Sequence, residues 1–217
     1  MRVETMIKSD DKNSPLKGLR ILYLGSSVTY GSAAGGVSFV EHIAERNGTE
    51  YVKEAVSGTT LTEGTGSYIE RLRALDAGGK LDLFVCQLST NDATRGKPLG
   101  LPSVTDTPDT STVCGAIKYI ITYVKKTWGC PVMFYTNSYY ENENYRAMVD
   151  ALREISALYG IGVIDLYGDA EFNAISEGQR AVYMADCIHP TEAGYREWWT
   201  PKFEECIEEY LGKAGAF

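Results

Sequence analysis

The sequence predicts an α/β fold, with a mainly parallel sheet of five strands covered by helices on both faces. Two observations predict it. Apolar runs short enough to be strands alternate with segments of helical periodicity from residue 19 onward. The third run, residues 81–88, is almost continuously apolar, as expected of a central strand in a parallel sheet. Strands that alternate with helices are joined by right-handed crossovers, which places helices on both faces of the sheet.

The strands are predicted from short apolar runs, and one long polar segment separates the third from the next helix. In chain order, the strands are predicted at residues 19–24, 51–56, 81–88, 131–135 and 162–166. Residues 90–112 are rich in Thr, Pro, Asp and Gly, which predicts a long connection. This connection leaves the third strand at its carboxyl end, so it is expected either to border a site there or to be a solvated loop.

The helices are predicted from apolar periodicity and from capping residues. Ser38 and Glu41 fit a capping box that opens a helix over 39–46, and Ser67 and Glu70 fit a second box. Longer helices are predicted over residues 113–124, 145–155 and 192–211. The last helix is expected to bend at Thr200-Pro201, because proline interrupts helical hydrogen bonding.

Length and composition predict one globular domain. The chain has 217 residues, of which 44% are hydrophobic and 23% charged, typical of a globular protein. No internal repeat is visible. We therefore predict a polar N-terminal extension over residues 1–18, followed by a single domain over 19–217.

Charge and cysteine usage exclude several classes of partner. The formal net charge is −8 and no Lys/Arg cluster is present, which argues against nucleic-acid and anionic-membrane partners. No apolar stretch approaches the roughly 20 residues of a membrane helix, and the N-terminus lacks the apolar core of a secretory signal. Five scattered cysteines without a CxxC pair indicate reduced thiols rather than disulfides or zinc. The sequence thus predicts a cytoplasmic protein without a metal.

Three polar segments follow predicted strands and are expected at one edge of the sheet. They are Ser26-Ser27, Ser57-Gly58 and Thr90-Asn91-Asp92. Ligands of parallel sheets bind at the carboxyl ends of the strands. The first segment belongs to a loop of small residues that could bind a phosphate, hold a flavin or expose a serine nucleophile. Walker and dinucleotide glycine spacings are absent, as is the GxSxG elbow, so the flavin and nucleophile interpretations remain open.

A nucleophilic serine needs a base that is itself oriented by a third group. The chain has two histidines. His42 falls inside a predicted helix and is interpreted as an ordinary surface or boundary residue. His189 lies in a DxxHP turn, where Asp186 can accept a hydrogen bond from Nδ1 and leave Nε2 facing a serine. Taken alone, the turn fits a structural cap equally well.

Acyl transfer also requires donors for the oxyanion of the tetrahedral intermediate. The backbone N–H groups of Ser27 and Gly58 and the side-chain amide of Asn91 follow three predicted strands, so they are candidates. Each has a plain structural interpretation, as a turn or a loop cap. Their joint convergence with the Asp186–His189 turn on one sheet edge favours the catalytic interpretation.

In these segments the sequence resembles the SGNH (GDSL-type) hydrolase superfamily, over about residues 19–211. The resemblance implies a three-layer α/β/α, flavodoxin-like sandwich and metal-free ester hydrolysis without a cofactor. It also implies the triad Ser27, Asp186 and His189, with Ser27, Gly58 and Asn91 as the oxyanion hole. The sequence departs from the family pattern at Ser26, where Asp is common, and at Ser89, where Gly is common.

The resemblance leaves the substrate open, because the family includes lipases, thioesterases and carbohydrate acetyl-esterases. The chain has fifteen tyrosines, several in predicted loops, and no broad apolar stretch that would form a lipid-binding lid. This favours a small acyl group, such as acetyl, on a small molecule or carbohydrate. The alternatives are a lipolytic enzyme or thioesterase, a flavodoxin-like flavin-binding electron carrier, and a catalytically silent carbohydrate-binding relative.

Overall fold

A computed structural model describes residues 14–104 and 107–213, and it contains the predicted sheet. All four strand pairs are parallel, and the order across the sheet is β2-β1-β3-β4-β5, the order of flavodoxin-like doubly wound folds. The strands are β1 (Arg20–Gly25), β2 (Glu50–Ala55), β3 (Leu83–Gln87), β4 (Val132–Tyr135) and β5 (Gly162–Ile164). The strand order therefore reverses beside β1, whose carboxyl end leads into the serine segment.

Helices cover both faces of the sheet. In chain order they are α1 (Ser27–Tyr30), α2 (Phe39–Asn47), α3 (Tyr68–Ala74), α4 (Thr90–Thr94), α5 (Val113–Thr127), α6 (Glu143–Tyr159), α7 (Ala170–Asn173), α8 (Glu177–Tyr183) and α9 (Thr200–Lys213), with a π-helical segment at Gly194–Trp199. Apolar residues of α3, α5 and α6 pack on one face of the sheet, and those of α2, the π-helical segment and α9 pack on the other. The predicted α/β architecture with two flanking helical layers is thus confirmed.

The central strands β3 and β4 are buried because both of their faces meet a helical layer. Every residue of β3 and β4 is buried, and successive side chains enter opposite cores. Phe84 of β3 belongs to the core under α5, whereas Val85 belongs to the core under α9. This alternation explains why the sequence of β3 is apolar without a polar face.

The residues predicted to begin and end α2 do so in the structure. Ser38 and Glu41 form the expected capping box, and Gly48 ends the helix in the left-handed conformation with φ of 68°. Ser67 caps α3 through the Glu70 N–H. In a capping box the Glu70 carboxylate would accept from the Ser67 N–H. It accepts instead from the N–H of the preceding residue, Gly66, so the second box is only half formed.

Three sequence expectations need correction or restriction. The predicted connection 90–112 begins with a helix, α4, and its residues 105–106 lie outside the described part. The irregularity expected at Thr200-Pro201 lies one turn earlier, in the π-helical segment, where the Thr200 N–H bonds to the carbonyl of Tyr195. The wider π turn accommodates a proline that has no N–H to donate. Of the predicted extension 1–18, residues 1–13 lie outside the described residues, and Leu16 is fully buried in the core.

No helix in the described ranges has both the length and the apolar composition needed to cross a membrane.

Candidate active site

The serine segment makes a tight turn from β1 into α1. Ser26 is the N-cap of α1, and Ser27 is its first residue. A Cβ atom on Gly25 would lie 1.7 Å from Thr29 Oγ1 and 2.8 Å from Gln87 Oε1, so no side chain fits there. Glycine at position 25 therefore allows the turn to fold back closely on itself.

The two adjacent serines face different surroundings. Ser26 is fully buried, and its N–H and hydroxyl donate to Gln87 Oε1 at 2.8 and 3.2 Å. Ser27 is 8% exposed, and its Oγ lies 2.8 Å from His189 Nε2. Of the two, only Ser27 combines exposure with contact to an imidazole, so the geometry favours it as the candidate nucleophile.

His189 is held by Asp186 through side-chain and backbone contacts. The distance between His189 Nδ1 and Asp186 Oδ2 is 2.8 Å. The other carboxylate oxygen, Oδ1, accepts hydrogen bonds from the N–H groups of Ile188 and His189, at 2.7 and 2.8 Å. With the proton on Nδ1, the imidazole donates to Asp186 and presents the Nε2 lone pair to Ser27.

The pKa of the Asp186 carboxyl lies below its usual value. Partial desolvation acts to raise this pKa, but the hydrogen bonds from Ile188 and His189 stabilise the ionised form more strongly. Asp186 is therefore ionised at neutral pH, as a partner for an imidazole that gains a proton must be.

Backbone pairing fixes the loop that carries Asp186 and His189. Met184 and Pro190 form an isolated antiparallel bridge, and the Thr191 N–H donates to the Tyr183 carbonyl at 2.9 Å. A Cβ atom on Gly194 would lie 2.0 Å from that same carbonyl oxygen. Glycine at position 194 thus lets the start of the π-helical segment pack directly against the base of the loop.

Tyr195 joins this last part of the chain to the serine helix. It is fully buried, and its hydroxyl donates to the carbonyl of Val28 in α1 at 2.7 Å. Tyr195 therefore ties the segment after His189 to the helix that starts with Ser27. The sequence analysis missed this residue, because a tyrosine in an apolar helical pattern gives no sign of its hydrogen-bond partner.

The three predicted oxyanion donors lie on segments that meet. Within residues 14–104 and 107–213, no protein oxygen accepts a hydrogen bond from the N–H of Ser27 or of Gly58. Gly58 has a φ of 79°, which favours glycine. Asn91 Nδ2 donates to Ser26 Oγ at 3.2 Å and to the Thr59 carbonyl at 2.9 Å. Donation from Asn91 to a ligand would therefore replace one of these two contacts.

Asp92 is a buried positioning group next to Asn91. Its carboxylate is inaccessible to solvent and accepts hydrogen bonds from the N–H groups of Leu61 and Thr62, at 2.7 and 3.1 Å. Its own N–H is capped by Ser89 Oγ. Asp92 thus fixes the loop after β2 against α4. The sequence suggested a loop cap at Asn91-Asp92. It could not reveal the contacts of Asp92 with Leu61 and Thr62, because these partners lie about 30 residues away.

A groove of about 710 Å³ opens beside Asp186. Its walls come from the loop after β4, from α8 and from the Asp186 loop. The lining residues are Tyr139, Tyr140, Glu141, Glu177, Arg180, Ala181, Met184, Asp186 and Cys187. Aromatic rings and charged groups of both signs are thus present, with three carboxylates against one guanidinium. The sequence did signal α8, because Ser176 and Gln179 form a capping box, but the prediction omitted it.

The remaining histidine and the cysteines take structural positions, with one exception. His42 is 8% exposed within α2, so it is more buried than predicted, and burial lowers its pKa. All five cysteines are free thiols. Cys187 is exposed beside Asp186, whereas burial raises the pKa of Cys114 and of Cys130 to about 11.

Two hydroxyls of the first loop, those of Ser26 and Thr29, are turned into the protein and cannot bind a phosphate. Thr29 Oγ1 donates to Gln87 Oε1 at 3.0 Å and lies 2.6 Å from Tyr135 Oη. Ser26 and Thr29 are both fully buried. Because these hydroxyls are engaged inside the protein, they do not support the flavin-binding alternative.

The fold and this geometry together define an α/β protein with a Ser–His–Asp arrangement at the carboxyl edge of a parallel sheet. Residues 23–197 match the GDSL-like lipase/acylhydrolase family, so the chain belongs to this family of hydrolases. The predicted resemblance is thereby confirmed at the family level. None of the curated proteins compared with the chain matches it.

Solved structures share the fold. The chain is 22% identical to a protein from Lactobacillus plantarum, with a TM-score of 0.73 over 91% of this chain and 98% of that one. It is 19% identical to a member of the lipolytic G-D-S-L family from Veillonella parvula, with a TM-score of 0.65 over 88% and 99%. At these identities the likeness concerns the fold.

Proposed function

We propose that this protein is a serine esterase that hydrolyses small-acyl esters through Ser27, His189 and Asp186. The observation that carries the proposal is the pair of 2.8 Å contacts, from Ser27 Oγ to His189 Nε2 and from His189 Nδ1 to Asp186 Oδ2. Hydrogen bonds of this length connect a nucleophile, a base and an orienting carboxylate.

The reaction proceeds in two halves. Ser27 Oγ attacks the ester carbonyl as its proton moves to His189 Nε2, and the carbonyl electron pair moves onto oxygen. When the tetrahedral intermediate collapses, the C–O bond to the alcohol breaks and the alcohol takes the proton from His189. Water then gives a proton to His189 and attacks the acyl carbonyl. When this second tetrahedral intermediate collapses, the acid leaves and Ser27 Oγ takes the proton back from His189. Asp186 remains ionised and stabilises the imidazolium.

The oxyanion of each tetrahedral intermediate is stabilised by the N–H groups of Ser27 and Gly58 and by the Asn91 amide. The two backbone donors lack protein acceptors among the described residues, which supports this role. For Asn91, a ligand oxygen replaces the Thr59 carbonyl or Ser26 Oγ as acceptor.

The substrate is a small acyl ester, with acetyl the favoured acyl group, and its alcohol is a small molecule or carbohydrate. The groove beside Asp186 supports this choice. Its half-exposed Tyr139 ring offers an amphipathic surface against which a sugar or another small alcohol can pack.

Kinetics with p-nitrophenyl acetate test the proposed triad. We expect Ser27→Ala and His189→Ala each to lower kcat by at least about 10³-fold, because the triad acts as a unit. Ser32→Ala, at an exposed position just after α1, should retain wild-type activity. Wild-type rates in both triad variants would refute the proposal.

Labelling with a fluorophosphonate separates the enzyme from its alternatives. An active serine is modified and the modification maps to Ser27, whereas a silent carbohydrate-binding relative remains unlabelled. A panel of acetylated sugars and of short and long acyl nitrophenyl esters then distinguishes a small-acyl esterase from a lipolytic enzyme. A yellow protein with flavin absorbance would instead indicate the electron carrier.

A further inference from the structure

Arg71 of α3 lies between the segments that carry the proposed oxyanion donors. Its side chain is 12% exposed, and its guanidinium lies 5.3 Å from the centroid of the Tyr68 ring. Arg71 is not one of the triad or oxyanion residues. It nevertheless contacts the end of β1, the end of β2 and the loop that includes Gly58.

All five N–H groups of the Arg71 guanidinium have acceptors. Nε donates to the Gly66 carbonyl at 3.1 Å, and Nη1 donates to the carbonyl and to the carboxylate of Glu54, at 3.0 and 2.8 Å. Nη2 donates to the Gly25 carbonyl at 2.8 Å and to Thr59 Oγ1 at 3.1 Å. A guanidinium has five donors in a rigid plane, so this arrangement specifies the relative positions of its acceptors.

The two acceptors of Nη2 belong to the two segments that carry the proposed backbone donors. The Gly25–Ser26 peptide is held by Arg71 at its carbonyl and by Gln87 at its N–H, directly before Ser27. Thr59 follows Gly58, and its carbonyl accepts the amide of Asn91. Through one nitrogen, Arg71 thus connects the backbone that presents the Ser27 N–H with the loop that presents the Gly58 N–H.

We propose that Arg71 is a positioning residue that sets the spacing of the oxyanion donors in the hydrolysis reaction. The inference rests on the proposed function. Arg71 acts through Gly25 and Thr59 and does not touch the substrate. Lysine cannot replace it, because a single ammonium nitrogen cannot reach acceptors spread around a planar fork.

Arg71→Lys tests the inference, with Arg73→Lys as a control on the same helix. Arg73 is 43% exposed and contacts Glu63 and Tyr119, away from the proposed donors. For p-nitrophenyl acetate we expect Arg71→Lys to lower kcat by about 10–100-fold, because small displacements of catalytic groups cost rate. KM should stay within about twofold, and the pH profile of kcat should keep its shape, because Arg71 has no contact with the His189–Asp186 pair. The Arg73→Lys variant should keep the wild-type kcat.

Thr59→Val provides a second, milder variant. It removes one Nη2 acceptor, together with the hydrogen bond from the Thr59 hydroxyl to the Val56 carbonyl, and keeps the side-chain shape. We expect a kcat loss of a few-fold and a slower reaction of Ser27 with the fluorophosphonate, which also develops charge on an oxygen in the hole. The unfolding midpoint in urea is measured for every variant. If Arg71→Lys does not fold, the kcat of Thr59→Val decides the inference.

The outcomes separate this inference from the proposed function. A wild-type protein that neither hydrolyses esters nor reacts with the fluorophosphonate would overturn both. An active wild type overturns the inference alone if folded Arg71→Lys keeps its kcat, if only KM changes, or if Arg73→Lys loses kcat equally. With Arg71→Lys unfolded, an unchanged kcat in Thr59→Val overturns it.

Discussion

Both oxygens of the Asp186 carboxylate are hydrogen-bonded although the side chain is 56% exposed. Two backbone N–H groups and the imidazole of His189 contact its oxygens. These three contacts hold the side chain in one orientation even though solvent reaches it. The Asp186 side chain therefore fixes both the loop backbone and the imidazole tautomer.

Asp186→Asn should keep the fold and lose most activity. The amide retains the size of the carboxylate but removes its charge and allows the wrong imidazole tautomer. We expect kcat for p-nitrophenyl acetate to fall by about 10²–10⁴-fold with little change in KM. Asp76→Asn, on an exposed loop, serves as the control. An active Asp186→Asn would remove Asp186 from the proposed mechanism.

The lowered pKa of Asp186 also predicts a pH-dependent contribution to stability. The folded protein binds the proton less tightly than the unfolded chain, where an aspartate has a pKa of about 3.9. Its contribution is therefore complete above that pH and is lost as the pH falls through the lower folded pKa. Urea unfolding of the wild type and Asp186→Asn should differ most near neutral pH and converge in acid. A difference that grew in acid would contradict the lowered pKa.

At the residue scale, the sequence is most informative where a local motif places two partners close together. The turn with Asp186 and His189 is a five-residue pattern, and the structure brings its imidazole to Ser27. Arg71 and Tyr195 escaped notice because their partners, Gly25 and Val28, lie far away in the sequence. No spacing within a helix reveals such contacts.

At the scale of elements, the π-helical segment accommodates Pro201 and positions Tyr195 against α1. Its extra residue per turn precedes Pro201, and it places Tyr195 against α1. The sequence indicated a helix with an irregularity near the proline. It could not locate that irregularity, because a π turn and a proline bend have the same apolar pattern. The four-residue helices α1 and α7 were likewise too short to show a period.

Tyr195→Phe should remove the hydrogen bond that joins the segment after His189 to α1. The ring stays packed while the carbonyl of Val28 loses a buried donor, which should lower the free energy of unfolding by about 1–3 kcal/mol. We also expect a lower kcat, since α1 carries Ser27. The control is Tyr183→Phe, because the Tyr183 hydroxyl makes an exposed contact to Glu197. Equal losses in both variants would refute a special role of Tyr195.

At the scale of the molecule, two cores lie on opposite faces of the sheet. The core under α2 and α9 is rich in aromatic rings: Phe39 and Phe203 stack with centroids 3.9 Å apart, and Trp199 is fully buried beside them. The sequence predicted the sheet and its two helical layers from alternating patterns. It did not predict the aromatic cluster, because its members come from distant segments of the chain.

Trp199→Ala should destabilise the whole fold. Removing a buried indole leaves a large cavity, so the free energy of unfolding should fall by about 3–5 kcal/mol. Trp128→Ala, at a partly exposed position after α5, should cost less. Urea unfolding followed by circular dichroism measures both changes. A smaller loss at position 199 than at position 128 would contradict the cost expected for a cavity in the aromatic core.

The contact between Ser27 and His189 can form only after both residues have been synthesised. The two residues are 162 positions apart, and ribosomes add about 5–20 residues per second. His189 is thus added to the chain roughly 10–30 s after Ser27. On the proposed mechanism, the nascent polypeptide lacks the base for its serine throughout that interval and does not yet hydrolyse esters.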